Sequence, residues 1–123
     1  MGFLTDRKRA VGRGASHTGT EHHWFMQVTS VGLAILIPTF IFYFGSALGS
    51  THDEVLATFS RPFPAILTAL VLVVGLQHFN KGAQMMIEDY LQGSARKAAI
   101  IFTICLSYTL MGTGLFALAK IAL

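Results

Sequence analysis

Three long stretches free of Asp, Glu, Lys and Arg dominate this chain: between Glu21 and Asp53, between Arg61 and Lys81, and between Lys97 and Lys120. A bilayer core of roughly 30 Å is crossed by about 20 apolar residues in a helix, which satisfies its own backbone polar groups where water is absent. Each stretch holds one span, so the expectation is an all-α membrane protein with three transmembrane helices, near residues 24–48, 63–87 and 98–120. With 53% hydrophobic and 12% charged residues over 123 positions, almost no part of the chain can fold as a soluble domain. The first run starts too late and runs too long for a secretion signal, and no small-residue cleavage site follows it, so it is expected to stay in the protein. Met1-Gly2 does not open a myristoylation signal, because Asp6 stands where Ser or Thr is needed.

The remaining charges describe topology. Arg7, Lys8, Arg9 and Arg13 precede the first span, and Arg96 and Lys97 follow the second. The first loop carries only Arg61 beside Asp53 and Glu54, and Lys120 stands alone near the end. The positive-inside rule then gives a cytoplasmic N-terminus and second loop, with the first loop and C-terminus periplasmic. The net charge of +3 is absorbed by this asymmetry and does not imply a nucleic-acid partner. Residues 1–21 read as a basic cytoplasmic arm, extended or loosely held against lipid headgroups or a partner, and 22–123 as the three-helix anchor.

Local signals refine that layout. His22, His23 and Trp24 mark a water interface. Pro38 falls inside the first span and is expected to bend it. Pro62 and Pro64 suit the first turn of the second helix, and Gly93-Ser94 makes the next loop short. Gly75, Gly82, Gly112 and Gly114 suit close helix packing. Cys105, the single cysteine, lies in the third run, where a buried, inert thiol is expected and no internal disulfide is possible. The phenylalanines are spread over all three spans, as lipid-facing or packing residues.

His78 is the one histidine at membrane depth, and polar groups there are expensive and usually functional. At about 100° per residue, Val71, Gly75, His78, Gly82, Met85 and Asp89 share one stripe of the second helix. An imidazole between two glycines lets a flat bulky group approach the backbone, and haem is such a group. An electron-transfer haem takes two strong axial ligands, of which imidazole is among the commonest. With one histidine available here, a six-coordinate iron would have to take its second histidine from another membrane subunit. The alternative is a histidine hydrogen-bonded to a neighbouring helix. Lys81, one turn on, suits a haem propionate with its stem snorkelling, or is a plain helix-end lysine. Asp89 lies roughly 16 Å along the same helix from His78. By itself the Asp89-Tyr90 pair also reads as an interfacial cap.

His78, Gly82 four residues later and Asp89-Tyr90 eleven and twelve residues after the histidine, on the second of three helices, form a pattern that resembles the hydrophobic membrane anchor of succinate dehydrogenase. The basic arm, the GTEHHW entry to the first helix and the near-empty C-terminus are similar to that family too, particularly its alphaproteobacterial members. The resemblance spans most of the chain, and the second-helix pattern is its specific part. It implies that His78 ligates haem b together with a histidine of a second three-helix anchor subunit. It also implies that Asp89 and Tyr90 border a ubiquinone pocket beside the iron–sulfur subunit, with Tyr90 donating to a quinone carbonyl. The complex would include a flavoprotein subunit and sit in the bacterial inner membrane. Two alternatives stand beside it: a fumarate reductase anchor working with menaquinone, and a small transport or assembly module without a cofactor. The roles of His17, His22, His23, His52 and Glu88 are left at surface or headgroup contacts, with His22 or His23 within reach of a propionate or of the iron–sulfur subunit.

Overall fold

The computed structural model describes residues 3–12 and 19–123. Met1-Gly2, Arg13 and His17 lie outside the described residues. Three long helices carry the chain: α2, Gly19–Ala47; α4, Pro62–Tyr90; and α5, Gly93–Ala122. Two short ones flank them, α1 at Asp6–Val11 and α3 at His52–Phe59. All three long helices are apolar enough to cross a membrane. At 1.5 Å per residue each runs about 44 Å, so its ends project past the hydrocarbon or the helix tilts. Each is longer than its hydrophobic stretch because the hydrogen-bond ladder continues through polar ends such as Glu21-His22 and Glu88-Asp89, which water tolerates. Pro38 sits on an outward-facing position within α2, and the helix continues through it.

The short helices have local causes. Thr51 caps α3: its hydroxyl accepts from the Glu54 N–H, while the Glu54 carboxylate accepts from the Thr51 N–H at 2.8 Å and hydroxyl at 2.9 Å. This reciprocal box holds the Glu54 carboxyl below its ordinary range, first through the backbone bond and then through the hydroxyl. In the arm, Thr5 accepts from the Lys8 N–H at 3.3 Å and starts α1, which ends at Gly12 with φ of 56°. Within the arm expected to be extended or loosely held, residues 6–11 are helical, where a local cap outweighs the polar composition. Gly93 at φ 63° lets the chain reverse after the extended pair Leu91-Gln92, a conformation that costs other residues about 1–2 kcal/mol.

The long helices run up, down and up, with α4 in the middle. It packs on α2 by one side and on α5 by the other, and among the described residues α2 and α5 share no packed face. His78 and Asn80 are 200° apart around α4, which is why a helix apolar nearly all round can bury two opposite faces. On the α2 side, Leu33 meets Gly75, Thr29 meets His78 and Met26 meets Gly82. On the α5 side Gly114 lies against Leu72, which by antiparallel register sets Asn80 level with Ser107. Asn80 is 4% exposed and accepts from the Gln84 amide at 2.7 Å. Buried Thr103 and Ser107 donate to the carbonyls one turn back, so neither hydroxyl is left bare.

Gly112 has open space above it, so only three of the four glycines expected at helix contacts are there. Tyr43 of α2 packs on Phe63 of α4 with ring centroids 5.4 Å apart, and Phe40 stacks on Phe44 at 5.8 Å. These rings pin the end of the bundle to which α3 is attached. Elsewhere the large apolar side chains point outward, among them Ile35, Phe42, Phe102 and Phe116, and Trp24 is exposed near the start of α2. Cys105 also faces outward. The expectation of a buried thiol is corrected: an apolar run shows depth in the bilayer but not which side of the helix meets another helix.

Candidate functional site

Two places on α4 carry the polar chemistry, at different depths. The deeper one is His78. It is half-buried, and its Nδ1 lies 2.8 Å from the Thr29 hydroxyl of α2. Nε2 has no hydrogen-bond partner among the described residues. The alternative of a histidine bonded to a neighbouring helix is thus met at one ring nitrogen and leaves the other unused. The flanking glycines do something other than expected. A Cβ on Gly82 would sit 3.5 Å from Met26 Cε, and one on Gly75 would sit 3.9 Å from Leu33 Cδ2. The space they leave is occupied by α2 side chains, so they bring α2 against α4 and do not clear a slot for a flat group.

One turn from His78, Lys81 lines a cavity of about 350 Å³ together with Glu21, His22 and Phe25 of α2. Nε2 of His22 is buried without a hydrogen-bond partner among the described residues. The Lys81 ammonium offers a charge-assisted bond to an anionic oxygen in this cavity, with the Glu21 carboxylate on the same wall adding a like charge. His23, by contrast, is exposed. Sequence reasoning left His22 and His23 equivalent; helix phase separates them, because only His22 turns toward α4. Thr29 was missed altogether. Its signal was present as the spacing Met26, Thr29, Leu33, a helical face with one polar member at mid-span.

The shallower place is the end of α4. Asp89 and Tyr90 form its last turn, both exposed, with Tyr90 at 83%. Neither is brought near His78, and the Tyr90 hydroxyl makes no hydrogen bond among the described residues. Antiparallel packing collects at this end the start of α2, the end of α4 and the start of α5 with Arg96 and Lys97. Glu88 is exposed. At the opposite end His52 lies 3.5 Å from Asp53, both solvated. Among the described residues no three His, Cys, Asp or Glu side chains converge as a metal cage.

A three-span helical anchor with one engaged intramembrane histidine defines a class, and comparison with known proteins narrows it. The family model described as succinate dehydrogenase/fumarate reductase transmembrane subunit matches residues 4–113. The chain is 46% identical over its whole length to a succinate dehydrogenase hydrophobic membrane anchor subunit of Paracoccus denitrificans, covering 95% of that protein. It is 25% identical over 103 residues to the protein of the same description from Rickettsia bellii, covering 83% of this chain and 82% of the relative. No solved structure matches the chain. The chain belongs to the succinate dehydrogenase/fumarate reductase transmembrane subunit family. It is a multi-pass anchor of the bacterial inner membrane and a non-catalytic component of an oxidoreductase complex.

Proposed function

We propose that this chain contributes one axial ligand to a haem b, through Nε2 of His78, and one wall of a ubiquinone-reduction site, through Tyr90 and Asp89. The second ligand comes from a histidine of a partner anchor subunit, because this chain has one histidine at that depth. The observation that carries the reading is the pairing of His78 with the cavity one turn away. One nitrogen of the imidazole is engaged by Thr29 and the other has no partner among the described residues, and Lys81 and His22 line the cavity one turn away, where they could meet a carboxylate of the same group. The open imidazole nitrogen and the Lys81 ammonium suit a haem, while Glu21 on the same cavity wall sets a like charge beside its carboxylates. When bound, the haem supplies a one-electron redox centre within the membrane. Lys81 and His22 would neutralise and hydrogen-bond its propionates, and α2 and α4 would shield it from water.

At the end of α4 the phenol O–H of Tyr90 is exposed and makes no hydrogen bond among the described residues. It can donate to a quinone oxygen on which negative charge develops. Asp89 beside it would relay a proton or orient a basic group from a partner. The basic residues gathered at this end support a cytoplasmic orientation, next to the iron–sulfur subunit that would deliver electrons originating at the flavoprotein subunit. The succinate dehydrogenase relatives favour succinate oxidation over fumarate reduction. The test is optical. The purified complex reduced with dithionite should show b-type haem absorption, and His78→Ala should abolish it. Unchanged absorption in the variant would remove His78 from the iron.

A further inference from the structure

A proton count around Thr29 assigns it a role beyond helix packing. Its single hydroxyl oxygen lies 2.8 Å from the Phe25 carbonyl, 3.1 Å from the Met26 carbonyl and 2.8 Å from His78 Nδ1. Carbonyl oxygens only accept. Two oxygens 2.8 Å apart need a proton between them, and the only one available is that of the Thr29 hydroxyl. That proton is therefore committed to α2's own backbone. Towards His78 the Thr29 oxygen can then only accept, so the proton of this bond belongs to the imidazole. A neutral imidazole with hydrogen on Nδ1 has none on Nε2, whose lone pair is left open. The opposite arrangement would spend the hydroxyl proton on Nδ1, leave the Thr29–Phe25 oxygens in bare contact and put the ring hydrogen on Nε2, where it blocks ligation.

We propose that Thr29 is a positioning residue that locks His78 in the Nδ1-protonated tautomer and fixes its ring plane, so that Nε2 is held ready for a metal centre. The inference rests on the reading of His78 as a haem ligand. Hydrogen bonding at the far nitrogen also makes an imidazole a stronger donor, and loss of such partners typically weakens metal retention about 10–100-fold. The hydroxyl has a further advantage over a carboxylate partner: it brings no charge into the membrane.

The experiment uses the whole purified complex with Thr29→Val, which keeps the shape of the side chain and removes the hydroxyl, and Thr29→Ser, which keeps the hydroxyl. The readouts are haem content, the midpoint potential of the haem and the electron paramagnetic resonance of its oxidised form, which senses ligand ring orientation. Thr29→Val is expected to lower haem content and to shift the potential upward, because a weaker donor stabilises ferric iron less. It should also change the resonance, and Thr29→Ser should restore all three. Native values in Thr29→Val, or a Thr29→Ser variant that behaves like it, would overturn the inference. If Thr29→Val does not assemble, Thr29→Ala, which puts no branched side chain against α4, is read in the same way. Failure of both to assemble marks Thr29 as a packing residue and also overturns it. Haem that survives His78→Ala refutes the underlying ligand assignment instead, whatever the Thr29 variants do.

Discussion

Gly82→Ala separates two uses of the glycines beside His78. If Gly82 admits a haem, a methyl there obstructs it. If Gly82 admits α2, the outcome follows from one distance. The added Cβ would lie 3.5 Å from Met26 Cε, an ordinary van der Waals contact with the free end of a flexible side chain. No backbone atom has to move. Replacing an interior helical glycine by alanine reduces the freedom of the unfolded chain and gains about 0.5–1 kcal/mol. The new methyl adds a few contacts to Met26 at no strain. Gly75→Ala is looser still, with 3.9 Å to Leu33. Both variants are therefore expected to keep full haem content and to be as resistant to heat as the parent complex, or slightly more so. Haem content per flavin and the temperature at which succinate–quinone activity is lost are the measurements. Loss of haem absorption in Gly82→Ala without loss of assembly would refute the packing argument and return the glycine to the cofactor.

The remaining predictions concern other depths of the bundle. Tyr90→Phe removes a hydroxyl with no partner among the described residues, so assembly should be intact. Quinone reduction should slow by about 1–3 kcal/mol, roughly 5- to 150-fold, while succinate oxidation by an artificial acceptor persists; equal loss of both activities would place Tyr90 in assembly. Asn80→Ala deprives the Gln84 amide of its acceptor within α4 and should destabilise the bundle by about 0.5–1.5 kcal/mol, read as a lower inactivation temperature; no change would mean that Gln84 finds another acceptor. For α3, the Glu54 carboxyl has a lowered pKa when folded. Its cap therefore stabilises the helix at pH above the ordinary glutamate value, and the contribution is lost as pH falls through the folded value. The protection factors of the amides from Val55 to Phe59, which divide out the intrinsic pH dependence of exchange, should fall in that acid window and stay flat near neutral pH, and flat protection across the window would refute the capping role.

Much of the fold was legible because lipid leaves the backbone few choices. A charge-free stretch of sufficient length must be a helix, so the three spans could be read from where Glu21, Asp53, Arg61, Lys81, Lys97 and Lys120 stand. Helix ends were less legible, since the hydrogen-bond ladder of α4 runs through Glu88 and Asp89 to Tyr90 while hydropathy stops at the lipid boundary. The α3 helix had a readable signal in Thr51-x-x-Glu54, a local capping pattern that hydropathy ignores. The candidate site divides the same way. His78, Lys81, Asp89 and Tyr90 announced themselves as polar residues on one helix, because one-dimensional spacing suffices to relate groups on a single helix.

What the chain's own spacing left undecided was every relation between helices. Whether Gly82 faces a cofactor or Met26, whether His22 or His23 turns toward Lys81, and whether Cys105 is enclosed all depend on how far each helix is rotated about its axis. In a bilayer that rotation is weakly encoded, since lipid tails and buried side chains are equally apolar and no water-facing stripe marks the outside. The partner of His78 is the clearest case. Thr29 stands 49 positions away in sequence, and only the docking of α2 on α4 brings its hydroxyl to the imidazole. The sequence by itself determined three spans and an intramembrane histidine, through the cost of leaving polar groups bare in lipid. The tertiary structure decided which nitrogen of that histidine is taken, through the phase of two helices.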